Sequence, residues 1–360
     1  MSAFVFYMTC NRVYSGIGGQ AVIEGIMMKS GNQYAVGVRK PDGDIDVSVT
    51  KTTSLADKYP ILKWPIIRGV YSFIDSLATG MKTLTYSASF FEDEEGAEPD
   101  KFEQFLTKIF GDKTEKVVFG AVTVVAVVLS VAIFMLLPMY ISGFLQKFLK
   151  NYYLVALIEG FIRIGIFVGY IKLVSKMDDI NRTFMYHGAE HKCINCVELG
   201  NPLDVEHVMA ASKEHKRCGT SFLIIVMVIS ILFFMVVRFD NLAYRALSRI
   251  ILVPVIAGLS YEFLRIAGRS ESKLVNFLSR PGMWMQALTT KEPTPDMAEV
   301  AIAATEAVFD WRKFLKDNFG KDYPYPEPET DETPAAEEAA ETAATDETAE
   351  TPATDEAAKE

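Results

Sequence analysis

The chain has 360 residues, half of them apolar, and a formal net charge of −10 at pH 7. Residues 323–360 hold 13 acidic residues and one lysine, a net −12, so the remainder carries +2 and is close to neutral. This body has no basic, aromatic-rich patch, which argues against direct nucleic-acid binding, and its unevenly placed apolar residues indicate membrane segments rather than a soluble core.

The N-terminal region, residues 1–100, is predicted to be cytoplasmic. Its start lacks a basic n-region and a convincing cleavage site, so we predict no signal peptide. Gly16, Gly18 and Gly19 suit a tight turn or a close backbone approach. Glu24 lies in an apolar run and is either a hydrogen-bonded strand residue, the interpretation we favour, or an acid of a functional site.

Two structural elements are predicted in this region. Residues 33–53 alternate apolar with small or polar residues on both sides of a Pro-Asp-Gly turn, the pattern of a β-hairpin. Residues 61–90 repeat apolar residues every three or four positions, the pattern of an amphipathic helix. We expect this helix to lie on the membrane or dock against a helix bundle, and a re-entrant or spanning helix is the alternative. Residues 91–100 form an acidic linker.

Four hydrophobic stretches within residues 101–280 define the fold class as mainly α, a polytopic membrane helix bundle. Their predicted bounds are 117–141, 154–174, 219–237 and 250–267, and residues 61–90 would make a fifth span if they crossed. The first stretch has 25 residues without a charge. At about 1.5 Å per residue it is longer than the roughly 30 Å hydrocarbon core.

Two of these spans contain a charged pair at helical spacing, Glu159 with Arg163 and Glu262 with Arg265. Partners three or four residues apart share a helix face and can form an ion pair. The pairs are either structural, near helix ends, or part of a polar interior site or pathway.

Lysines and arginines concentrate in the 176–218 loop and after the fourth span. Both termini and this loop are therefore predicted to be cytoplasmic, in a multi-pass protein of the plasma (inner) membrane. The loop between the third and fourth spans, with three arginines, fits this orientation least well.

Residues 281–322 are predicted to hold a cytoplasmic C-terminal helix, capped by Thr294 with Pro295 in its first turn. Its apolar stripe is interpreted as a docking face: Met297, Ala301, Ala304, Val308, Trp311 and Leu315. Residues 323–360 are rich in Pro, Glu, Thr and Ala and are predicted to be a disordered acidic tail.

The chemistry-bearing residues concentrate in residues 186–218. If residues 180–197 are helical, His187 and His191 lie one turn apart on one face, the spacing that two imidazoles need to share a metal. With Glu190 they form H-x-x-E-H, the inverted zincin motif, in which the glutamate is the general base. Clustered thiols without a disulfide framework indicate a reduced site for a divalent metal, zinc being the first candidate.

Further ligands allow two arrangements. His215 and Cys218 offer a second ligand pair just before the third span, and Asp204 can cap a short helix that brings this pair back towards the first. Alternatively, Cys193 and Cys196 would join His215 and Cys218 in a closed structural zinc site. Three ligands with an open position predict chemistry, whereas four closed ligands predict a structural metal.

Five motifs, in this order along the chain, resemble those of the YqhQ-like family: GGQAVIEGIMM (18–28), YHGAEHKCINC (186–196), HKRCGTSF (215–222), AGLSYEFLRIAGR (257–269) and RPGMWMQALTTKEP (280–293). These are bacterial multi-pass membrane proteins described as predicted metal-dependent enzymes. The resemblance covers roughly residues 16–310.

The family pattern carries over onto two short segments: His187, Gly188, Ala189, Glu190, His191 and Lys192 in the first, and His215, Arg217, Cys218 and Gly219 in the second. Lys216 stands where we expect proline, which matters little for ligation. Cys193 and Cys196 are not clearly part of the pattern. The resemblance therefore favours His187, His191, His215 and Cys218 as the metal set.

The leading hypothesis is an integral membrane metallohydrolase with Glu190 as its catalytic base, acting on a membrane peptide or a lipid-linked group. An inverted zincin also needs a downstream carboxylate ligand, for which Glu262 is the best candidate. The alternative is a zinc-stapled membrane scaffold, without enzymatic activity, that helps other membrane proteins insert, fold or assemble.

Overall fold

The computed structural model describes residues 12–91, 114–237, 239, 241–268, 270 and 272–325. The chain divides into one unit, Met1–Asp322, and a second, Tyr323–Glu360. Residues 326–360 of the predicted disordered tail and residues 92–100 of the predicted acidic linker lie outside the described residues.

A four-stranded antiparallel sheet forms in the order β1 (Gly18–Val22), β2 (Gly25–Ser30), β3 (Gln33–Arg39) and β4 (Ile45–Lys51). The predicted hairpin is present as β3 and β4, and Gly43 takes φ +95° in its turn. Strands β1 and β2 are additional to it. The first four residues of β2 are all buried, so this strand lacks the polar alternation by which a half-exposed strand is recognised.

The helices follow in this order: α1 (Leu55–Lys58), α2 (Ile67–Ala88), α3 (Thr114–Val131), α4 (Leu137–Leu145), α5 (Tyr152–Val174), α6 (Asp178–Glu198), α7 (Val205–Ala210), α8 (Gly219–Val236), α9 (Leu242–Ala267), α10 (Lys273–Thr289), α11 (Pro295–Glu306) and α12 (Trp311–Phe319). A π-helical turn, Ala132–Leu136, joins α3 to α4. It ends two residues before Pro138, whose ring and missing N–H disfavour a regular α-helix.

Four helical segments in the described part of the chain are long and apolar enough to cross a bilayer: Gly120–Leu145, Tyr152–Val174, Gly219–Val236 and Ala243–Ala267. The first three agree closely with the predicted stretches. The fourth begins seven residues before the predicted 250, since Arg245 and Arg249 lie inside α9. Both arginines pair with Glu159 of α5, which offsets part of the cost of burying them in an apolar helix.

Helix α2 packs against α9 and against strand β1, and its buried face lies beside its apolar stripe. Its buried residues are small or hydroxylated: Gly69, Gly80, Thr83 and Ser87. Ile74 and Leu77 are more than half exposed. The predicted amphipathic helix is therefore present and docked on the bundle. Phe73 of its apolar stripe packs against Phe222, while the exposed part of the stripe faces outwards, the orientation that a lipid-facing helix needs.

The predicted C-terminal docking stripe is buried in full: Met297, Ala301, Ala304, Val308, Trp311 and Leu315. Two helices share it rather than one, because Asp310 caps α12 by accepting a hydrogen bond from the Lys313 N–H. Helix α11 packs directly on the sheet, where a Cβ at Gly37 would lie 3.2 Å from Ala304 Cβ. Helices α6 and α11 together cover the sheet and bring it against the 186–218 segment.

The crossing of α2 and α9 leaves no room for a side chain at Gly258. A Cβ there would lie 2.6 Å from the carbonyl oxygen of Ile66, which is backbone and cannot rotate away. We expect Gly258→Ala to lower the free energy of unfolding by about 1–3 kcal/mol. Thermal unfolding of the detergent-purified protein measures this.

Gly165→Ala is the matched control, because nothing lies within 4 Å of a Cβ at that position in α5. Alanine has a higher helix propensity than glycine, so we expect this substitution to leave the free energy of unfolding unchanged or to raise it slightly. Equal melting temperatures for the two variants would contradict the close crossing.

Candidate metal centre

Residues 178–198 are helical, as the H-x-x-E-H interpretation requires, and His187 and His191 lie on the same face of α6. Their ring centroids are 4.4 Å apart. The helix is buried from Gly188 to Glu198, so both imidazoles point into the protein interior.

Each histidine is oriented by a backbone carbonyl oxygen. His187 Nδ1 lies 2.8 Å from the Thr289 oxygen, and His191 Nδ1 lies 2.6 Å from the Lys213 oxygen. A carbonyl oxygen only accepts hydrogen bonds, so each Nδ1 must be the donor. In the neutral form each Nε2 then keeps its lone pair, the arrangement found around metal-ligating histidines.

Cys218 completes the group that we call the His–His–Cys cluster (His187, His191 and Cys218). Its Sγ lies 3.2 Å from His187 Nε2, and one ligand atom from each residue falls within 4.8 Å of the other two. Cys218 is the N-cap of α8, and its sulfur accepts from the Thr220 N–H. The positive end of the helix dipole favours a thiolate there.

The charges of the cluster are mutually stabilising. Burial raises the pKa of the Cys218 thiol, but His187 and His191 outweigh it and bring that pKa well below its ordinary value. Burial lowers the pKa of His187, and the Cys218 thiolate overcomes this and raises it to about 9. Without a metal, the two residues therefore favour an imidazolium–thiolate pair.

Glu190 lies beside the cluster in a buried position, with Oε2 3.9 Å from His187 Nε2. Burial raises its pKa, which the two histidines and the Gly19 N–H partly offset. A Cβ at Gly19 would lie only 2.9 Å from Glu190 Cγ. The predicted close backbone approach of the glycine-rich segment is thus an approach to the carboxylate of the H-x-x-E-H motif.

His215 is adjacent to the cluster but turned towards a different partner. Its ring centroid lies 5.5 Å from that of His191, and its Nε2 lies 3.7 Å from Glu198 Oε2. Burial lowers its pKa to about 3, so His215 is neutral. The structure therefore brings together three of the four predicted metal ligands, His187, His191 and Cys218. His215 lies beside this group but not in it.

The other predicted ligands lie elsewhere. Cys193 and Cys196 are buried on other faces of α6, and Cys196 Sγ donates to the Pro202 carbonyl oxygen. Cys193 and Cys196 follow His191 by two and five positions, so they cannot share the helix face that His191 turns towards Cys218. The closed set of Cys193, Cys196, His215 and Cys218 therefore does not assemble. Glu262 is bound by Arg68, at 2.6 Å from its Nε, and does not join the cluster.

Glu24 is a half-buried residue with φ +47° in the β1–β2 turn, where Arg182 Nε donates to it at 2.5 Å. The favoured interpretation of Glu24 as a structural residue agrees with this, although the residue lies in a turn rather than a strand. Asp204 caps the short helix α7 through the His207 N–H, as predicted. That helix ends at Ala210, and an extended segment continues to His215.

Gln286 of α10 was not predicted as a site residue, yet it holds the His215 segment in place. Its amide accepts from the His215 N–H at 2.9 Å and donates to the His215 carbonyl oxygen at 2.6 Å. Gly188 lets the backbone at Lys291 approach, since a Cβ there would collide with the Lys291 carbonyl oxygen. The 280–293 motif thus forms one wall of the centre. In the sequence this motif is notable only because it resembles the YqhQ-like family, and no role can be assigned to it.

Glu198, at the end of α6, ties the segments around the centre together. It is fully buried and pairs with Arg12 at 2.9 Å and with Arg217. Ser15 donates to it through both its backbone N–H and its hydroxyl. Burial raises the pKa of Glu198, but His215 and the arginines lower it well below its ordinary value.

These observations define a mainly helical protein with four helices long and apolar enough to cross a bilayer, a small antiparallel sheet and a buried His–His–Cys cluster. The chain belongs to the family described as "Protein of unknown function (DUF1385)", which matches residues 64–311. It is 32% identical over 301 residues to "Uncharacterized protein YqhQ" of Bacillus subtilis (strain 168), covering 82% of this chain and 92% of that protein. The resemblance to the YqhQ-like family is confirmed. No solved structure matches the chain.

Replacing Glu198 by glutamine leaves the partly buried Arg12 and Arg217 without this counter-charge. We expect Glu198→Gln to destabilise the protein by about 3 kcal/mol at neutral pH. Because the folded-state pKa is depressed, this contribution is complete above the ordinary value of 4.5 and is lost as the pH falls below it. Chemical denaturation at several pH values measures the difference.

Glu299→Gln is the matched control, because Glu299 pairs with Arg39 while its side chain is 52% exposed. That change should cost little at any pH. A Glu198→Gln variant that is as stable as this control would contradict the structural role of Glu198.

Proposed function

We propose that this protein is an integral membrane metallohydrolase whose zinc is held by Nε2 of His187, Nε2 of His191 and Sγ of Cys218. One observation carries the proposal: two imidazoles, each held at Nδ1 by a backbone carbonyl oxygen, and one buried cysteine sulfur bring three ligand atoms within 4.8 Å of one another. Such preorganisation of donor atoms is expected of a metal site.

The donor set fits zinc. Zinc binds imidazole nitrogen at about 2.0–2.1 Å and thiolate sulfur at about 2.3 Å, so two ligands of one ion lie roughly 3–4 Å apart. The Cys218 Sγ to His187 Nε2 separation of 3.2 Å matches this spacing. Three protein ligands leave the fourth tetrahedral position open, as in catalytic rather than structural zinc sites.

Glu190 is the proposed general base. A bound zinc ion supplies Lewis acidity that makes water a nucleophile at neutral pH. Glu190 is buried beside the cluster, 3.9 Å from His187 Nε2, and accepts a hydrogen bond from the Gly19 N–H, which fixes the carboxylate while leaving oxygen lone pairs to accept a proton. Its raised pKa is in keeping with a group that exchanges protons.

The proposed location is the cytoplasmic face of the plasma membrane, with a membrane protein, a peptide or a lipid-linked group as substrate. Four apolar helices support insertion, and the outward apolar face of α2 adds a lipid-facing surface. The cluster lies at the N-terminus of α8, in the 176–218 loop, whose lysines and arginines favour the cytoplasmic side under the positive-inside rule. A reducing compartment keeps Cys218 available for ligation.

A scaffold without enzymatic activity is the second candidate, favoured by the number of segments that meet at the cluster. Helix α6 and the cap of α8 supply the ligands, while the backbone at Lys213 and Thr289 orients them. A metal here would join four separate segments and stabilise the cytoplasmic face for binding other membrane proteins.

The first test is metal content. The detergent-purified protein, prepared without chelator, should contain about one zinc ion per chain. His187→Ala and Cys218→Ser should lose it, because two ligands do not hold zinc through purification. Cys193→Ser should keep it, since that buried thiol is outside the cluster.

Elemental analysis after gel filtration gives the stoichiometry, and circular dichroism shows that each variant is folded. Wild-type protein without any bound divalent metal would contradict the proposed centre. Zinc lost equally in the Cys193→Ser variant would favour a different ligand set.

The second test separates the enzyme from the scaffold. Glu190→Gln keeps the size of the side chain and removes the base, so zinc content and melting temperature should be retained. Hydrolysis should fall about 10²- to 10⁴-fold. Wild-type and variant proteoliposomes, incubated with solubilised bacterial membrane extract, are compared by mass spectrometry for new peptide termini and released lipid headgroups. Identical product profiles would contradict catalysis by Glu190 and favour the scaffold.

A further inference from the structure

A second buried polar group lies inside the helix bundle, away from the proposed metal centre. Glu159 and Arg163 of α5 meet Arg245 and Arg249 of α9. Ser230 of α8 binds Arg163, and it lies 12 residues beyond Cys218, or about 18 Å along the helix. We call Arg163, Arg245 and Arg249 the arginine cluster.

All three arginines share one carboxylate. Arg163 donates to Glu159 Oε1 at 3.1 Å, Arg245 to Oε2 at 2.8 Å, and Arg249 to Oε2 at 2.9 Å. The Ser142 hydroxyl also donates to Oε2, at 2.7 Å. A carboxylate has about four lone-pair sites, so Glu159 is saturated and cannot take further donors.

The cluster is left with excess charge and free donors. Three guanidinium groups against one carboxylate leave two positive charges, in side chains that are at most 11% exposed. In the described part of the chain, the buried Nε atoms of Arg163 and Arg245 have no hydrogen-bond partner. The Phe234 ring lies under Arg163 and Arg249 at 5.0 and 4.7 Å, which offsets only part of the cost.

We propose that the arginine cluster binds a phosphate group. A dianion would balance the two excess charges, and arginine forks match the oxygens of phosphate in bidentate hydrogen bonds. The free Nε donors of Arg163 and Arg245 are the atoms that such a ligand would engage. Glu159 holds the three guanidinium groups in place, so it positions the site rather than contacting the ligand.

The phosphate belongs either to an anionic lipid or to a free phosphate ion. Arg245 has the most exposed side chain of the three and lies four residues after Asn241, the N-cap of α9, so the site is reached from that end of the bundle. The proposal that the phosphate belongs to a lipid rests on the proposed membrane location. The proposal that the arginine cluster binds a phosphate group rests only on the charges and donors of the cluster.

The experiment uses the full chain, purified and delipidated in detergent, with thermal unfolding followed by tryptophan fluorescence. Inorganic phosphate, short-chain phosphatidic acid and zwitterionic phosphatidylcholine are titrated at constant ionic strength against chloride. We expect a saturable rise in melting temperature with phosphate or phosphatidic acid and none with phosphatidylcholine. Whichever of the two phosphate probes binds more tightly identifies the source.

Arg245→Gln removes one fork and leaves Glu159 paired with Arg163 and Arg249. Apparent affinity should fall about tenfold or more, the usual effect of losing a charge-assisted hydrogen bond. Arg280→Gln, an exposed arginine on α10, controls for loss of surface charge and should bind as the wild type does. The absence of any saturable shift, or the same affinity in both variants, would overturn the proposal.

If Arg245→Gln does not fold, Arg245→Lys keeps the charge but not the fork. It should bind phosphate more weakly than the wild type, and unchanged affinity would likewise overturn the proposal. Zinc content is measured on every sample. Wild-type protein that contains zinc but does not bind phosphate would overturn the phosphate site and not the metal centre. Wild-type protein that binds phosphate but contains no metal would overturn the metal centre and not the phosphate site.

Discussion

The candidate site depends on two hydrogen bonds in which a histidine Nδ1–H donates to a backbone carbonyl oxygen. His187 uses the oxygen of Thr289, and His191 uses that of Lys213. Each bond fixes a tautomer and a ring orientation, and together they direct both Nε2 atoms to Cys218. Without them the two imidazoles could rotate, and a helix carrying H-x-x-E-H would offer no defined site.

Much of the surrounding fold holds those two carbonyl oxygens in place. The side chain of Gln286 clamps the backbone of His215, two residues after Lys213. Lys291 N–H donates to the Phe184 carbonyl oxygen of α6, which anchors the segment after Thr289. On the remaining side the sheet brings Gly19 to Glu190. The sheet, α6 and α10 therefore act as one support for the cluster, although they are far apart in the sequence.

The sequence predicted features that depend on residue type and spacing, namely the helical H-x-x-E-H, the four apolar helices and the docking stripe of the C-terminal segment. It could not predict which backbone oxygens orient the histidines, because every residue has the same carbonyl group. Nor could it predict that Glu198 draws His215 aside and that Arg68 takes Glu262, since those pairings depend on tertiary packing. The start of α9 was missed for the same reason: its arginines pair with Glu159, which belongs to another helix.

X-ray absorption at the zinc edge of the purified protein tests the central claim most directly, because it counts the ligand atoms without requiring a substrate. The proposed centre predicts two imidazole nitrogens at about 2.0 Å, one sulfur at about 2.3 Å and one further light atom at the open position. Two or more sulfur ligands would contradict the His–His–Cys cluster, since Cys193 and Cys196 lie outside it. A zinc ion surrounded by oxygen alone would mean that the bound metal is at another place in the protein.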